Sequence, residues 1–588
     1  MKRALCLFVL LALTTPLLAV QEATLRRQLR ALERREGYAA ALPLYRELRR
    51  LAPQDTSLLH RQIHALAQTG EHGRIVEVLK PWLNDHEDDA RAYLALGRAH
   101  HALERDDRAL KIWRQLLKRQ AQDPQLYLQV GEHCRAAGLF EAAIETLEQG
   151  RKKLRQDQLY TFELAELHLQ RRDYPRAARD YIAYLLQDAN RFAQVEYQLQ
   201  TVAADPLEGP ALLDALLDVL EAGDPTHQIS RLTATLALEA GRPETGYEIL
   251  APLVEDAAPL LFDFAARAQN LGFDETAARA YAHFAAHSSD SPYFYRAVLL
   301  QAQSLTRTRQ YGRAAKIYRQ LARPFPERRE TLEALYHLGK LQLEVQGEVK
   351  AARATLKSVL NASRINPWQA NALILLGECA LRLDEFNEAE SYVDQLIEGY
   401  PQERNRGHYM RAELHYFQND FAAALKELDA LLKDDPRGAL GNDALALLMR
   451  LEHHQHNTSA LETFAQAQLR ERQARPDRAA RHWKQLLAQG PPALKAQSLL
   501  IRARLRTAEG LDVALALYQL LVEQYPYEHY TLEARLGSAA LLERRGDFEH
   551  ALKTYETALL THAEDVRAPQ IRLHIQRLRT ALQERREG

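Results

Sequence analysis

A 34-residue spacing of small residues is the feature that most constrains the fold of this sequence. Six positions follow one another at intervals of 34 residues, and five of them are alanine: Ala41, Ile75, Ala109, Ala143, Ala177 and Ala211. With looser spacing the series continues at Gly246, Ala277, Ala314, Ala352, Ala389, Ala424, Ala479, Ala514 and Ala551. A period of this length is typical of proteins that stack copies of one supersecondary unit. The 588 residues are therefore expected to form one quasi-linear array instead of about four ordinary domains.

The residues around these anchor positions predict a helical hairpin in each repeat. A small residue is needed where the two helices of a hairpin cross at close range, and an aromatic side chain one turn later fills the adjoining groove. Turn signals such as Gly37-Tyr38 precede the second helix, and a proline often follows it. The residue four positions after the anchor is aromatic in eight repeats: Tyr45, Trp113, Tyr181, Tyr281, Tyr318, Trp483, Tyr518 and Tyr555. Proline stands twelve positions after the anchor in six: Pro53, Pro326, Pro401, Pro436, Pro491 and Pro526.

This pattern resembles the tetratricopeptide repeat family. In that family a first helix carries an aromatic residue, Leu-Gly and Tyr, and a second helix carries Ala, an aromatic residue and Ala. The resemblance extends over roughly residues 23–565 and implies an all-α fold, a right-handed α-solenoid of about fifteen hairpins with one continuous core. The repeat around residues 190–223 departs most from the pattern, because Asp218 follows Ala211 where an apolar residue is expected.

The amino terminus has the pattern of a secretory signal peptide. Lys2 and Arg3 precede an apolar run that ends at Leu13, and the following segment ends in a small residue suited to cleavage, Ala19. The apolar run is too short to span a membrane, and no cysteine follows it as a lipid anchor would require. After cleavage near Ala19, the mature chain is expected to begin near Val20 as a soluble periplasmic protein with no stable membrane anchor.

The repeat spacing changes once in a way that predicts an extra element. The 55 residues between Ala424 and Ala479 are about one and a half repeats, so an odd helix is expected near residues 442–452, followed by an exposed linker with a helix cap at Thr458 or Ser459. We expect the array to change curvature there. The predicted segments are the signal peptide (1–19), an N-terminal array (20–223), a central array (224–436), the odd helix and linker (437–459), a C-terminal array (460–567) and a capping helix (568–588).

No catalytic or cofactor-binding constellation is evident. The patterns of zinc proteases, nucleophile elbows and phosphate-binding loops are absent, so no cofactor is predicted. Neighbouring residues of a helix point about 100° apart, which favours a core position for Cys134 over pairing with His133 as nucleophile and base. Cys134 and Cys379 belong to repeats far apart in the array, and both thiols are expected to be free.

Two further observations bear on metals and polyanions. His453, His454 and His456 could hold a transition metal, but no further ligand stands at suitable spacing, and a solvated loop without metal is the preferred interpretation. The chain has 77 Lys and Arg residues against 78 Asp and Glu residues. This balance gives no overall attraction to nucleic acid or anionic lipid.

The candidate site is a surface. In the family that the sequence resembles, first-helix residues line the concave face, and the resemblance assigns ten residues to it. They are Arg98, His101, Glu132, Arg135, Glu378, Arg382, Tyr409, Glu413, Tyr416 and Phe417. Tyr409, Tyr416 and Phe417 are the preferred binding hot spots, since aromatic side chains on an otherwise polar helix face are typical of them; the alternative is that these rings pack against the next repeat. The Lys/Asn clamp of chaperone-binding relatives is not matched, because Leu94, Arg98, Leu128 and Glu132 occupy its positions.

These observations predict an exported, non-catalytic scaffold that binds proteins or peptides in a bacterial cell envelope. Repeats that end in Tyr-Pro, as at Tyr400-Pro401 and Tyr525-Pro526, resemble those of periplasmic proteins that assist outer-membrane assembly or division. One alternative is a scaffold of an exopolysaccharide synthesis or secretion machine. The other is an enzyme with a site hidden in the groove, which lacks support from any nucleophile, base and acid set. The sequence leaves the oligomeric state open.

Overall fold

The computed structural model describes residues 21–223, 226–323, 328–362, 365–507 and 510–587. Regular secondary structure in these residues consists of α-helices and short 3-10 turns, without a strand. Consecutive helices contact each other in pairs along the chain, so the predicted all-α array of helical hairpins is confirmed. The predicted signal peptide and its cleavage point at Ala19 lie outside the described residues.

The chain forms two compact units, Met1–Ser289 (unit 1) and Asp290–Gly588 (unit 2). The division falls inside the predicted central array. Unit 1 contains α1 (21–33), α2 (Tyr38–Leu51), α3 (Thr56–Gln68), α4 (His72–Asp85), α5 (Ala90–Ala102), α6 (Asp106–Arg119), α7 (Pro124–Ala136), α8 (Phe140–Leu154), α9 (Thr161–Gln170), α10 (Tyr174–Gln187), α11 (Phe192–Ala203), α12 (Gly209–Ala222), α13 (His227–Glu239), α14 (Pro243–Leu250), α15 (Val254–Asn270) and α16 (Asp274–His287).

Unit 2 continues the same alternation of first and second helices, with one extra helix at α25. It contains α17 (Phe294–Arg307), α18 (Tyr311–Leu321), α19 (Arg329–Glu344), α20 (Val349–Leu360), α21 (Gln369–Arg382), α22 (Phe386–Gly399), α23 (Arg404–Phe417), α24 (Phe421–Asp434), α25 (Gly441–His453), α26 (Thr458–Arg472), α27 (Pro476–Gln489), α28 (Pro492–Arg506), α29 (Leu511–Gln524), α30 (Tyr530–Arg545), α31 (Phe548–Thr561) and α32 (Ala568–Glu587).

The anchor residues lie where the two helices of each hairpin cross. Fourteen of the fifteen are buried, as are the eight aromatic side chains that follow them. Ala211 is the exception, because it is exposed on α12. The apolar stripe of that helix runs instead through Leu212 and Leu216, four residues apart on one face, so the predicted anchor of this repeat is wrong.

Glycines on the first helix admit the large side chains of the second. A Cβ built on Gly97 of α5 would lie 2.0 Å from Nε1 of Trp113, whose ring is 1% exposed. The same close approach recurs in unit 2, where a Cβ on Gly537 would lie 2.7 Å from the ring of Tyr518. The Leu-Gly signature of the first helix therefore makes room for the aromatic residue after the anchor.

The turn inside each hairpin also recurs in register. The residue five positions before the anchor has a positive φ wherever the structure describes that position, except in the repeat of Ala211. Glycine occupies this position in six repeats, and Glu36, Glu104, Arg172, Arg309, Asp384, Asn419 and Ala474 occupy it in the others. At Glu104 the turn is closed by a bond from the Arg105 N–H to the His100 carbonyl, 2.9 Å long. The turn signal at Gly37 is displaced by one residue, since Glu36 carries the positive φ.

The extra helix of unit 2 is α25. It occupies Gly441–His453, close to the predicted residues 442–452. The next helix begins at Thr458 and its N-cap is Asn457, so the predicted cap at Thr458 or Ser459 is one or two residues too late. α25 contacts the preceding second helix, α24, whereas α26 contacts the first helix α23 and forms a hairpin with α27. The linker between α25 and α26 is only partly exposed, because His454 is buried.

Candidate partner-binding surfaces

Four of the ten candidate residues lie on consecutive first helices of unit 1. Arg98 and His101 belong to α5, and Glu132 and Arg135 belong to α7. Arg98, Glu132 and Arg135 are exposed, while His101 is partly exposed and its Nδ1 lies 2.7 Å from Oδ1 of Asp106. Arg98 and Glu132 occupy the same repeat position in α5 and α7, and so do His101 and Arg135.

A cavity of about 650 Å³ opens beside α3 and α5, and both Arg98 and His101 line it. Its aliphatic and aromatic lining includes Ile63, Leu94 and Trp113. The other polar groups in its lining come from the residues His60, His64, Gln68, His72, Arg91 and His133. Burial, together with the charge of Arg98, lowers the pKa of His133 to about 4, so this imidazole is neutral at physiological pH.

A second cavity of about 640 Å³ adjoins the first and shares His60, His64 and Arg91 with it. Both carboxylates of this cavity, Glu33 and Asp89, are paired with basic side chains. Nε2 of His60 lies 3.2 Å from a carboxylate oxygen of Asp89, and the same carboxylate accepts a hydrogen bond of 2.9 Å from Nε1 of Trp82. Although burial acts in the opposite direction, these two partners and the backbone of Ala92 lower the pKa of Asp89 to about 2.

The other six candidates lie on α21 and α23 of unit 2, and α26 of the same chain contacts them. Arg472, the last residue of α26, donates from Nε to Glu378 Oε2 at 2.9 Å and from Nη1 to Glu413 Oε1 at 2.8 Å. Glu378 also accepts a hydrogen bond of 2.7 Å from Arg382. Burial lowers the pKa of Arg472, but the carboxylates of Glu413 and Glu378 outweigh it and raise this pKa. Three candidate side chains are thus engaged in an internal ion network.

Tyr416 and Phe417 are not exposed aromatic side chains, and the preferred interpretation of them as surface hot spots is wrong. Tyr416 is 2% exposed and Phe417 is 5% exposed. The hydroxyl of Tyr416 donates to Gln468 on α26 at 2.7 Å, and Gln466 donates to the backbone carbonyl of Phe417 at 3.0 Å. The rings pack in the contact between α23 and the following repeat, which was the alternative interpretation. Tyr409 is half-buried and lines a cavity of about 430 Å³.

Two residues in these surfaces, His64 and Arg472, were not predicted from the sequence. His64 precedes Arg98 by 34 residues, so the repeat register alone could have added it to the unit 1 surface. Arg472 stands seven residues before the anchor Ala479, as Arg382 and Phe417 do before theirs, so the register gives its repeat position but not its ion pairs. Its partner Glu378 lies 94 residues earlier in the chain.

The remaining reactive side chains are placed in the core. Cys134 and Cys379 are free and fully buried, and burial raises the pKa of each thiol to about 12. Both are therefore protonated and unreactive at neutral pH. Within the described ranges, no group of three or more His, Cys, Asp or Glu side chains is arranged to hold a metal ion. None of the helices in the described ranges is both long and apolar enough to cross a membrane.

Comparison with protein-family models identifies the repeats. Models described as tetratricopeptide repeat match residues 12–156, residues 345–414, and the four segments 131–193, 299–367, 409–455 and 464–529. These matches together span more than half of the sequence, and the chain belongs to the tetratricopeptide repeat family. Proteins of this kind act as protein-interaction scaffolds and are typically non-catalytic.

Solved structures with similar helical arrays include a tetratricopeptide repeat protein from Parabacteroides merdae ATCC 43184, with 14% identity, a TM-score of 0.30, and coverage of 49% of this chain and 99% of that one. A structure of Naa15/Naa10 bound to HypK-THB has 12% identity, a TM-score of 0.24 and coverage of 96% of both chains. The Cut9-Hcn1 hetero-tetramer of the APC/C has 13% identity, a TM-score of 0.22, and coverage of 96% of this chain and 98% of that one. No curated protein matches the chain.

Proposed function

We propose that this chain is an exported, non-catalytic scaffold that binds a protein or peptide partner through the first-helix surface of unit 1. The observation that carries the proposal is the contrast between the two units. In unit 1 the charged candidates Arg98, Glu132 and Arg135 remain exposed beside a cavity of about 650 Å³. In unit 2 the corresponding surface is covered by α26, which forms hydrogen bonds with Glu378, Glu413 and Tyr416. A preformed surface of this kind binds a segment without first ordering itself, which lowers the entropic cost of association.

The proposed location is the periplasm of a Gram-negative bacterium, in a role of the outer-membrane assembly or division type. Its support comes from the signal pattern that ends near Ala19 and from the repeats that end in Tyr-Pro. Mass spectrometry of the protein recovered from the periplasmic fraction tests the location. A mature chain that begins near Val20 is expected, and an unprocessed chain found only in the cytoplasm would contradict it.

Photocross-linking in intact cells tests the binding surface. A photoreactive amino acid replaces Arg98, inside the unit 1 surface, or Lys118, which is exposed on the second helix α6. We expect a covalent adduct with another envelope protein from position 98 and little or none from position 118. Equal adducts from both positions, or none from either, would overturn the proposed surface. The identity of the adduct separates an assembly or division factor from a component of polysaccharide secretion.

A further inference from the structure

The cavity of about 650 Å³ in unit 1 is lined by basic side chains and by no carboxylate. The residues that line it include two arginines and five histidines but no aspartate or glutamate: His60, Ile63, His64, Ala67, Gln68, His72, Ile75, Arg91, Leu94, Ala95, Arg98, Ala99, His101, Ala102, Trp113, His133, Ala136 and Ala137. The whole chain, by contrast, carries a net charge of -1. Asp89 pairs with His60, Asp106 pairs with His101, and burial lowers the pKa of His133 to about 4. Arg91 and Arg98 therefore carry the local positive charge of this cavity.

Both arginines are available to a ligand. Arg91 and Arg98 are exposed on α5, and neither guanidinium forms an ion pair with another residue in the described ranges. The neighbouring Arg61, in contrast, is paired with Glu33. Positions seven apart lie on the same face of a helix, about 10 Å apart along its axis. An extended peptide covers that distance in about three residues.

The basic region is short. At the position that His64 and Arg98 occupy in α3 and α5, the next two first helices carry Glu132 and Glu166. Burial raises the pKa of Glu166; among the nearby charges Arg135 lowers it, and Glu163 and Glu132 raise it. A long uniform polyanion that followed the array would meet these carboxylates, whereas a short acidic segment would not.

We propose that the unit 1 cavity binds a short, extended, acidic peptide segment, with its carboxylates facing Arg91 and Arg98 and its apolar side chains against Ile63 and Leu94. The inference rests on the proposed function and adds the chemistry of the partner. Guanidinium groups bind carboxylates through paired hydrogen bonds, and complementary charge gives specificity to an otherwise aliphatic groove. Basic or neutral segments lack this complement.

Fluorescence anisotropy with short labelled peptides of alternating Glu and Leu tests the proposal, with Gln/Leu and Lys/Leu peptides of equal length for comparison. We expect the Glu/Leu peptide to bind most tightly and its affinity to fall by about tenfold or more in the double variant Arg91→Glu and Arg98→Glu. The matched control is Lys111→Glu with Lys118→Glu, which makes the same charge change at the same spacing on α6. Its affinity is expected to stay within about twofold of the unmodified protein. Circular dichroism verifies that both variants remain folded.

Several results would overturn the inference. The Gln/Leu peptide could bind as tightly as the Glu/Leu peptide, the control variant could lose as much affinity as the cavity variant, or no peptide could bind at all. Heparin that binds at least as tightly as the Glu/Leu peptide would also overturn it, because the cavity would then be a general polyanion site. These outcomes are separate from the proposed function, which the cross-linking from positions 98 and 118 in cells tests independently.

Discussion

At the scale of single residues, one absent methyl group decides the fit between the helices of a hairpin. Gly97→Ala would place a Cβ 2.0 Å from the buried indole of Trp113. Because the indole is enclosed, the helices must separate or the ring must leave its rotamer, and we expect a loss of roughly 2 kcal/mol or more in the free energy of unfolding. Chemical denaturation measures it. The control is Gly73→Ala in α4, where the added Cβ meets nothing within 4 Å; a comparable loss there would contradict the packing explanation.

The left-handed turn position gives a second residue-scale prediction. Glu104 has a φ of 57° and Gly138 has a φ of 74° at the equivalent place one repeat later. Glycine adopts this conformation without the steric cost that a Cβ imposes. Glu104→Gly is therefore expected to stabilise the fold, and Gly138→Ala to destabilise it, each by roughly 1 kcal/mol. Thermal denaturation of the two variants compares them. The same sign of change in both would show that backbone strain does not control these turns.

The histidine of the linker predicts a dependence of stability on pH. His454 is 5% exposed, and burial, together with the charges of His453 and Arg450, lowers its pKa to about 4. The unfolded chain binds a proton at this imidazole near pH 6.5 and the folded chain does not, so stability is lost as the pH falls from about 6.5 towards 4. The loss attributable to His454 is roughly 2 kcal/mol.

The variant His454→Gln isolates this effect from the titration of carboxylates. Between pH 7 and about pH 4.5, the unmodified protein is expected to lose roughly 2 kcal/mol more of its free energy of unfolding than the variant loses. Parallel pH profiles for the two proteins would rule out a buried neutral imidazole. The sequence alone favoured a solvated cluster here, because three histidines within four residues of a polar stretch give no signal of burial.

The residue-scale predictions from the sequence succeeded at every anchor except Ala211, in the strictly and the loosely spaced repeats alike. The anchor and the aromatic residue after it could be predicted because each fills a space that every hairpin creates. Ala211 could not be placed correctly, since one alanine carries no information about which of two adjacent residues faces the crossing. Glu36 and Ala474 could not be recognised as left-handed turns, because neither residue type favours that conformation.

At the scale of helices, α26 is the element that changes unit 2. Gln473 follows the last residue of α26. Its side-chain amide donates to the Leu381 carbonyl in the last turn of α21 at 3.1 Å, and to Asp384 in the turn after α21 at 2.7 Å. The extra helix could be predicted from the gap of 55 residues. The contact of α26 with α21 could not, since it joins residues about ninety apart and depends on how α25 packs against α24.

Arg472→Ala tests the contact between these helices. The change leaves the carboxylates of Glu378 and Glu413 facing each other, with 16% and 19% of their side chains exposed. We expect a loss of roughly 2 kcal/mol in the free energy of unfolding, less than for a fully buried pair because solvent screens part of the charge. Arg114→Ala, which removes an exposed ion pair with Glu145, is the control and is expected to cost about 0.5 kcal/mol or less. Equal effects would mean that Arg472 contributes only as a surface charge.

At the scale of the whole molecule, the two units use the same hairpin in different ways. Unit 1 leaves the exposed side of α5 and α7 open beside its cavities, and unit 2 covers the equivalent side of α21 and α23 with its own helix α26. The sequence could predict which residues share a repeat position. It could not predict which of those positions remain accessible, because that depends on contacts between distant repeats.

Carboxylate labelling of the free protein tests this account most directly. Carbodiimide and glycine ethyl ester modify accessible carboxylates, and mass spectrometry of peptides then compares Glu132 on α7 with Glu378 and Glu413, which bind Arg472. We expect Glu132 to react several times faster than the other two, and the difference to narrow in Arg472→Ala. Equal labelling of all three in the unmodified protein would contradict the claim that unit 1 leaves this first-helix surface open while unit 2 covers the equivalent surface with α26.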